Sequence, residues 1–211
     1  MKTIKFFLII ITLGFFSTSL QARIWYVRAG ATGNGMSASS PSGDLQLILI
    51  NSSAGDEIRV TEGRYYPYRP ANNPSVIDTT TNYHHNAFVL KKDVKLYGGY
   101  SLNFSSRNPY GGVSTLMGIA SIVNVGRLYH TVISIGDIGT ACLDGFEILG
   151  GRSFSSNSII LNGHTIYNDR GACIYLSSSS PALVNVTINN GIANGSGGGI
   201  YASACHLNIT N

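Results

Sequence analysis

Short apolar runs broken by Ser, Asn and Gly recur along the second half of the chain. Gly171-Ala172-Cys173-Ile174-Tyr175 leads to Leu183-Val184-Asn185-Val186-Thr187-Ile188-Asn189-Asn190-Gly191. Gly197-Gly198-Gly199-Ile200-Tyr201 and Leu207-Asn208-Ile209-Thr210-Asn211 then repeat that order. Self-similarity at a period of ~20–50 residues marks architectures of stacked units. No helical spacing runs through these units, so the pattern predicts a solenoid of β-strands. Superposing Phe146-Glu147-Ile148 on Val186-Thr187-Ile188, and Val186-Thr187 on Ile209-Thr210, aligns apolar with apolar and polar with polar. Phe146, Ile148, Val186, Ile188 and Ile209 are therefore expected inside one stacked interior, with Thr187 and Thr210 outside. A slip of one residue would invert every side chain.

Upstream, Ile24-Trp25-Tyr26-Val27 has the β-branched and aromatic content of a strand. A glycine-rich loop is expected from Gly30 to Gly43, turning at Gly33-Asn34-Gly35; its spacing fits no phosphate-binding fingerprint. Leu45, Ile48 and Leu49 then fall on one face of a short helix that Ser42 or Asp44 can cap. In a solenoid such a helix closes the open end of the core. Strands are expected at Asp56–Val60, Ala87–Leu90, Val94–Tyr100, Ser114–Met117, Ile119–Val125, Val132–Ile135, Leu143–Ile148 and Ile159–Leu161. Three prolines with Asn and Thr make 67–86 a surface excursion.

The first residues have the form of an export signal: Lys2 and Lys5, the apolar run Phe6–Phe16, then small and polar residues up to Ala22. That run is shorter than the ~20 residues of a membrane span. Removal of Lys2 and Lys5 lowers the formal charge from +4 to +2, which does not suit nucleic acid, whose partners carry a clustered basic face. With 25 Gly and 11% charged residues, the mature chain suits stacked strands with short polar turns and not charged disorder. The expected organisation is a signal peptide over 1–22, a cap and first coils over 23–130, and repeat coils of the same solenoid over 131–211. The chain stops inside a coil, so it reads as an N-terminal fragment with an uncovered last coil open to edge-to-edge self-association.

Chemistry-bearing residues are sparse. Cys142, Cys173 and Cys205 are expected as small apolar residues lining the interior. No spacing suits zinc, and His84-His85 read as solvated loop residues. The acids Asp137, Asp144, Glu147 and Asp169 form no cluster. Asp144-Gly145 reads as a corner whose Asp bonds nearby backbone, Asp144 and Glu147 as opposite-facing residues, and Asp169-Arg170 as a turn pair. Tyr65, Tyr66, Tyr68 and Tyr83 are the candidate glycan-contacting aromatics. No catalytic, cofactor-binding or metal-binding residue is assigned.

Trp25-Tyr26-Val27, the segment Gly55-Asp56-Glu57-Ile58-Arg59-Val60-Thr61-Glu62-Gly63-Arg64-Tyr65, Leu96-Tyr97-Gly98-Gly99-Tyr100, Leu143-Asp144-Gly145-Phe146 and the Gly-Gly-Gly-Ile-Tyr repeat resemble exported bacterial parallel β-helix proteins, including the pectate-lyase-like and polymorphic outer-membrane-protein groups. The chain departs from the repeat at Gly171-Ala172-Cys173 and at Val186-Thr187-Ile188-Asn189. The resemblance implies an all-β, right-handed parallel β-helix with a short N-terminal capping helix. It also implies an extracellular or outer-membrane-associated location and an adhesin-like, non-catalytic scaffold that meets a glycan or a host or matrix surface. The alternative it implies is a polysaccharide lyase or glycosidase. A lyase would need acids around Ca²⁺ and a glycosidase a pair of facing carboxylates.

Overall fold

The computed structural model describes residues 21–111, 113–119 and 126–211. The expected export signal falls almost wholly outside them, as does most of the strand expected at Ile119–Val125. Strand β1 (Ile24–Val27), the hairpin β2 (Thr32–Ser37) and β3 (Ser40–Ser42), and helix α1 (Leu45–Asn51) come first. β4 (Glu57–Thr61), β5 (Gly63–Tyr65) and β6 (Phe88–Val89) make one round, followed by β7 (Lys95–Tyr100), β8 (Ser114–Gly118) and β9 (Val132–Ile135). The next holds β10 (Cys142–Asp144), β11 (Phe146–Gly150), β12 (Arg152–Ser153), β13 (Ser158–Leu161), β14 (His164–Tyr167) and β15 (Ile174–Ser177). After it come β16 (Ala182–Val184), β17 (Thr187–Asn189), β18 (Ile192–Ala193), β19 (Ile200–Ser203) and β20 (Asn208–Thr210). With α1 as the one α-helix among the described residues, the chain is all-β.

Three sheets carry the fold. The first orders its strands β2-β3-β1-β4-β7-β10-β16-β20, the second β17-β11-β8-β5 and the third β19-β15-β9-β6. From β4 onward the chain visits first, second and third sheet in turn, so neighbouring strands are one round apart in sequence. Among the described residues, strand pairs are parallel except β2–β3 and β13–β14.

Registers explain the core. Trp25, Ile58, Leu96, Leu143 and Leu183 stack rung over rung in the first sheet. Tyr65, Leu116, Ile148 and Ile188 do so in the second, and Phe88, Val132, Ile174 and Ile200 in the third. All three rows belong to one apolar cluster, buried from Trp25 to Val186, with Ile188 and Ile200 partly buried against it. Alternation does the sorting: successive residues of a strand face opposite sides, and burying the branched and aromatic ones drives the stacking. Glu147 and Thr187 share an outward rung beside the inward Ile148 and Ile188, as the repeats predict.

Helix α1 packs on the core beside β1 and β6. Asp44 accepts from the Leu47 amide at 2.9 Å as its N-cap, and Leu45, Ile48 and Leu49 are buried against β1 and β6 side chains of the core. Lys91 Nζ donates to the Ile50 carbonyl at 2.8 Å and to that of Ser52, supplying a cation where the last carbonyls lie unpaired. Asp56 locks the chain entry, accepting from the amides of Arg23 (2.8 Å) and Ser53 (2.9 Å) and from Trp25 Nε1 (2.8 Å). Burial alone would raise its carboxyl, but these bonds outweigh it and hold the group below the usual carboxylate range.

Four expectations need correction. The glycine-rich loop is the β2–β3 hairpin, turning at residues 38–39 instead of Gly33-Asn34-Gly35. The strand expected at Leu143–Ile148 is two strands in different sheets, separated by a corner at Gly145 (φ 78°), where Asn185 (φ 50°) stands one round later. A left-handed backbone at each corner suits Gly and Asn. Asp144 and Glu147 therefore do not share a strand. Ile209 pairs with Leu183 and so keeps the expected inward parity, with Thr210 outward, but it is not in line with Val186 and is 51% exposed; β20 lies in the first sheet, and sheet membership overrides a local match of apolar letters.

Strand β13 holds the expected Ile159–Leu161, and its antiparallel pairing with β14 departs from the repeat. The hairpin covers the outer face of the third sheet, where Ile159, Leu161 and Ile166 pack with Ile133, Ile135 and Tyr175 in a second apolar cluster that also takes in Ala71 and Ala87.

Candidate functional site

Two outward rows flank the corner between the first and second sheets. Arg59, Tyr97, Asp144, Val184 and Thr210 form one, and Arg64, Thr115, Glu147 and Thr187 the other. Asp144 is nearly buried. Its Oδ1 pairs with Arg107 Nη2 at 2.8 Å and accepts from Asn185 Nδ2 at 2.8 Å, so it bonds side chains of other rounds and not the backbone expected for a corner Asp. Arg107 is itself fixed, donating to the carbonyls of Gly98 and Asp144 and lying 5.0 Å over the Tyr97 ring. Across the corner, Glu147 accepts from Thr115 Oγ1 at 2.9 Å and from Asn189 Nδ2 at 3.0 Å. Each carboxylate is thus held by groups one round below and one above.

The other two acids are also engaged. Asp137 pairs with Lys92 on the surface, and Asp169 pairs with Arg170 at 3.2 Å in the expected turn. Among the described residues, His, Cys, Asp and Glu side chains do not gather in threes in a way that could hold a metal ion.

The four tyrosines separate. Tyr65 is buried and is not a surface contact: its hydroxyl donates to the Thr61 carbonyl at 2.8 Å, accepts from the Ala29 amide at 3.3 Å, and is pushed up to about 12 by burial. Three residues of β5 fix its inward parity opposite Leu116. Tyr66 and Tyr68 do stack on one another, with ring centres 6.4 Å apart, and remain half-buried. Tyr83 packs on His84 at 4.0 Å instead.

At the outward rows' corner opens a cleft of about 150 Å³ lined by Pro109, Tyr110, Val113, Gly145, Phe146, Glu147, Asn185 and Thr187. Tyr110 is 76% exposed. It escaped the sequence reading although its neighbours Arg107-Asn108-Pro109 and Gly111 mark a turn; an aromatic inside such a turn has nothing to bury it, and that was the available signal. A second, more apolar cleft of about 320 Å³ lies between α1, the 71–74 segment and the tip of the β13–β14 hairpin.

No family model, curated protein or solved structure matches the chain. Among the described residues no helix is long and apolar enough to cross a membrane.

The histidines and cysteines also need correction. His84 and His85 are half-buried, both packed on Tyr129, and His84 Nδ1 meets the Arg127 carbonyl at 2.8 Å. Cys142 lies on the outward rung of Lys95 and Ala182, and Cys205 is half-exposed at the core margin; Cys173 alone of the three is fully interior. Burial pushes the Cys173 thiol up to about 11, which leaves it a poor nucleophile.

His130 is the most perturbed base. It is 2% exposed, stands 5.1 Å from the Tyr175 ring, and its Nδ1–H donates to the Gly171 carbonyl at 3.1 Å. Burial pushes the imidazole down to about 4, against smaller opposing influences of Gly171 and Asn168; Asn168 does not reach bonding geometry, so its amide atoms and His130 Nε2 stay unpaired. The unfolded chain takes up this proton near pH 6.5, the folded chain near 4. The stability contribution is therefore complete above pH 6.5 and is lost as pH falls to about 4, a change of about 3 kcal/mol. Urea midpoints measured from pH 7 to 4 should fall for the wild type and flatten for His130→Phe; parallel curves would refute the assignment.

Proposed function

We propose that the chain is an exported, right-handed parallel β-helix capped by α1, related to the polymorphic outer-membrane-protein type of repeat. In this reading it serves as a non-catalytic, adhesin-like scaffold at the cell surface or outside it, meeting a glycan or matrix. The parallel rounds with residue-for-residue register support the fold. The observation that carries the function is the commitment of Asp144 and Glu147 to inter-round bonds. A general acid trades a proton with its substrate, and Ca²⁺ gathers several carboxylates around it; Asp144 and Glu147 instead belong to two different rows, each fixed by donors of the neighbouring rounds, and knit the stack. Edge strands β17, β19 and β20, which contain Ile188, Ile200 and Ile209, support concentration-dependent self-association through sheet edges.

The test is incubation of the mature chain with polygalacturonate, with and without Ca²⁺, following chain cleavage. No turnover is expected. Cleavage that disappears in Asp144→Asn would replace the scaffold with a lyase or glycosidase.

A further inference from the structure

We infer that the cleft lined by Tyr110 is a subsite for a single neutral sugar residue, an inference that rests on the glycan-contacting scaffold reading and names where and what it contacts. One wall is apolar and displayed. Tyr110 and Val113 are 76% and 52% exposed. The amides of Tyr110 and Gly111 each donate to Asn108 Oδ1 at 3.1 Å, so a fixed turn presents the ring. Single exposed apolar residues are ordinary on a surface; here they line one cleft with polar groups that are already oriented.

Those polar groups are Glu147, Asn185 and Thr187. The bonds from Thr115 and Asn189 immobilise the Glu147 carboxylate and use two of its roughly four lone-pair sites, leaving acceptors for two more donors. Asn185 is anchored through Nδ2 on Asp144, which leaves its carbonyl oxygen to accept. Thr187 adds an exposed hydroxyl.

An aromatic ring and preorganised acceptors lining one cleft match a pyranose. The C–H face of the sugar lies on the ring, and its hydroxyls donate to the carboxylate in charge-assisted bonds. The sign of the polar lining selects against uronic or sulfated sugars, because Arg107 is bound to Asp144 and does not offset Glu147. A cleft of about 150 Å³ is smaller than the ~300–1,000 Å³ of sites that enclose a drug-sized ligand, so one ring is the unit bound.

Affinity electrophoresis of the mature chain through gels holding soluble β-glucan, mannan or polygalacturonate tests this. Retardation by a neutral polysaccharide and not by polygalacturonate is expected. Tyr110→Ala should weaken that binding about tenfold, the scale of one aromatic contact, with an unchanged melting temperature because the ring is exposed. Glu147→Gln should admit polygalacturonate. Equal retardation of wild type and Tyr110→Ala would overturn the subsite while leaving glycan binding elsewhere on the scaffold intact. Retardation by polygalacturonate alone would overturn the neutral class, and no retardation in any gel would overturn the subsite altogether. None of these outcomes bears on turnover, which judges the scaffold reading separately.

Discussion

Leu49→Asp is expected to cost about 5 kcal/mol, placing it among the largest effects of a single substitution. Leu49 is 2% exposed and packs in the central apolar cluster with Leu45 and Ile48. A carboxylate among those side chains is cut off from water and must either unseat the helix or take up a proton. Domain stabilities run at ~5–15 kcal/mol, so the variant should be largely unfolded or lose its capped end. Leu49→Ala, which only empties space, should cost ~2–5 kcal/mol. Thermal and urea denaturation of the two variants beside the wild type would show the ordering; a wild-type melting temperature for Leu49→Asp would mean that the helix does not seal the core.

Gln46→Leu is expected to destabilise by about 4 kcal/mol although it places the more apolar residue in a buried position. Gln46 is 3% exposed, and all four hydrogen bonds of its amide go to backbone. Nε2 donates to the carbonyls of Arg69 (2.6 Å) and Ala87 (2.9 Å), and Oε1 accepts from the amides of Tyr68 and Arg69 at 2.8 Å each. Leucine leaves those four groups inside without partners, at ~1–3 kcal/mol apiece before any relaxation towards water. The nearby Arg69–Asp44 pair, at 2.5 Å, is then left to tie the excursion to the helix cap. Urea denaturation measures the loss, and faster proteolysis between Ala71 and Asn82 should accompany it. A Leu variant as stable as the wild type would show that the excursion is secured elsewhere.

These two positions mark the boundary of what the sequence discloses. Leu49 is legible because apolar spacing along a helix reports its buried face directly, and the strand interiors Ile58, Leu96, Ile148 and Ile174 are legible through alternation. Gln46 is not legible, because a polar residue between two leucines reads as solvent-facing until the excursion at 67–86 is folded over it. The same limit explains the misplaced corner at Gly145 and the misaligned Ile209: both depend on which sheet a strand joins, a decision made between rounds and not within a stretch of residues. For the site, Tyr65 and Tyr110 stand in equally turn-rich surroundings. Pairing of β5 with β8 turns the first inward, whereas Tyr110 lies outside any strand and stays in water. The acids were legible as unclustered, but their partners Asn185, Asn189 and Thr115 became visible only once the rounds were stacked.

The β13–β14 hairpin shows how such a molecule accommodates change. It leaves the stack after β12 and returns before β15, yet β15 pairs with β9 below and β19 above without a shift of register. Added chain stored at a corner does not propagate along the ladder, because each rung is set by its backbone partners and not by the distance travelled between them. At the tip, Asn162 and Gly163 have φ of 48° and 81°, and a Cβ on Gly163 would meet nothing within 4 Å. Foreign peptide spliced between them would enlarge the flank and leave the rungs in place, which makes this tip the natural graft point for epitope display and the place where evolutionary lengthening costs the fold least.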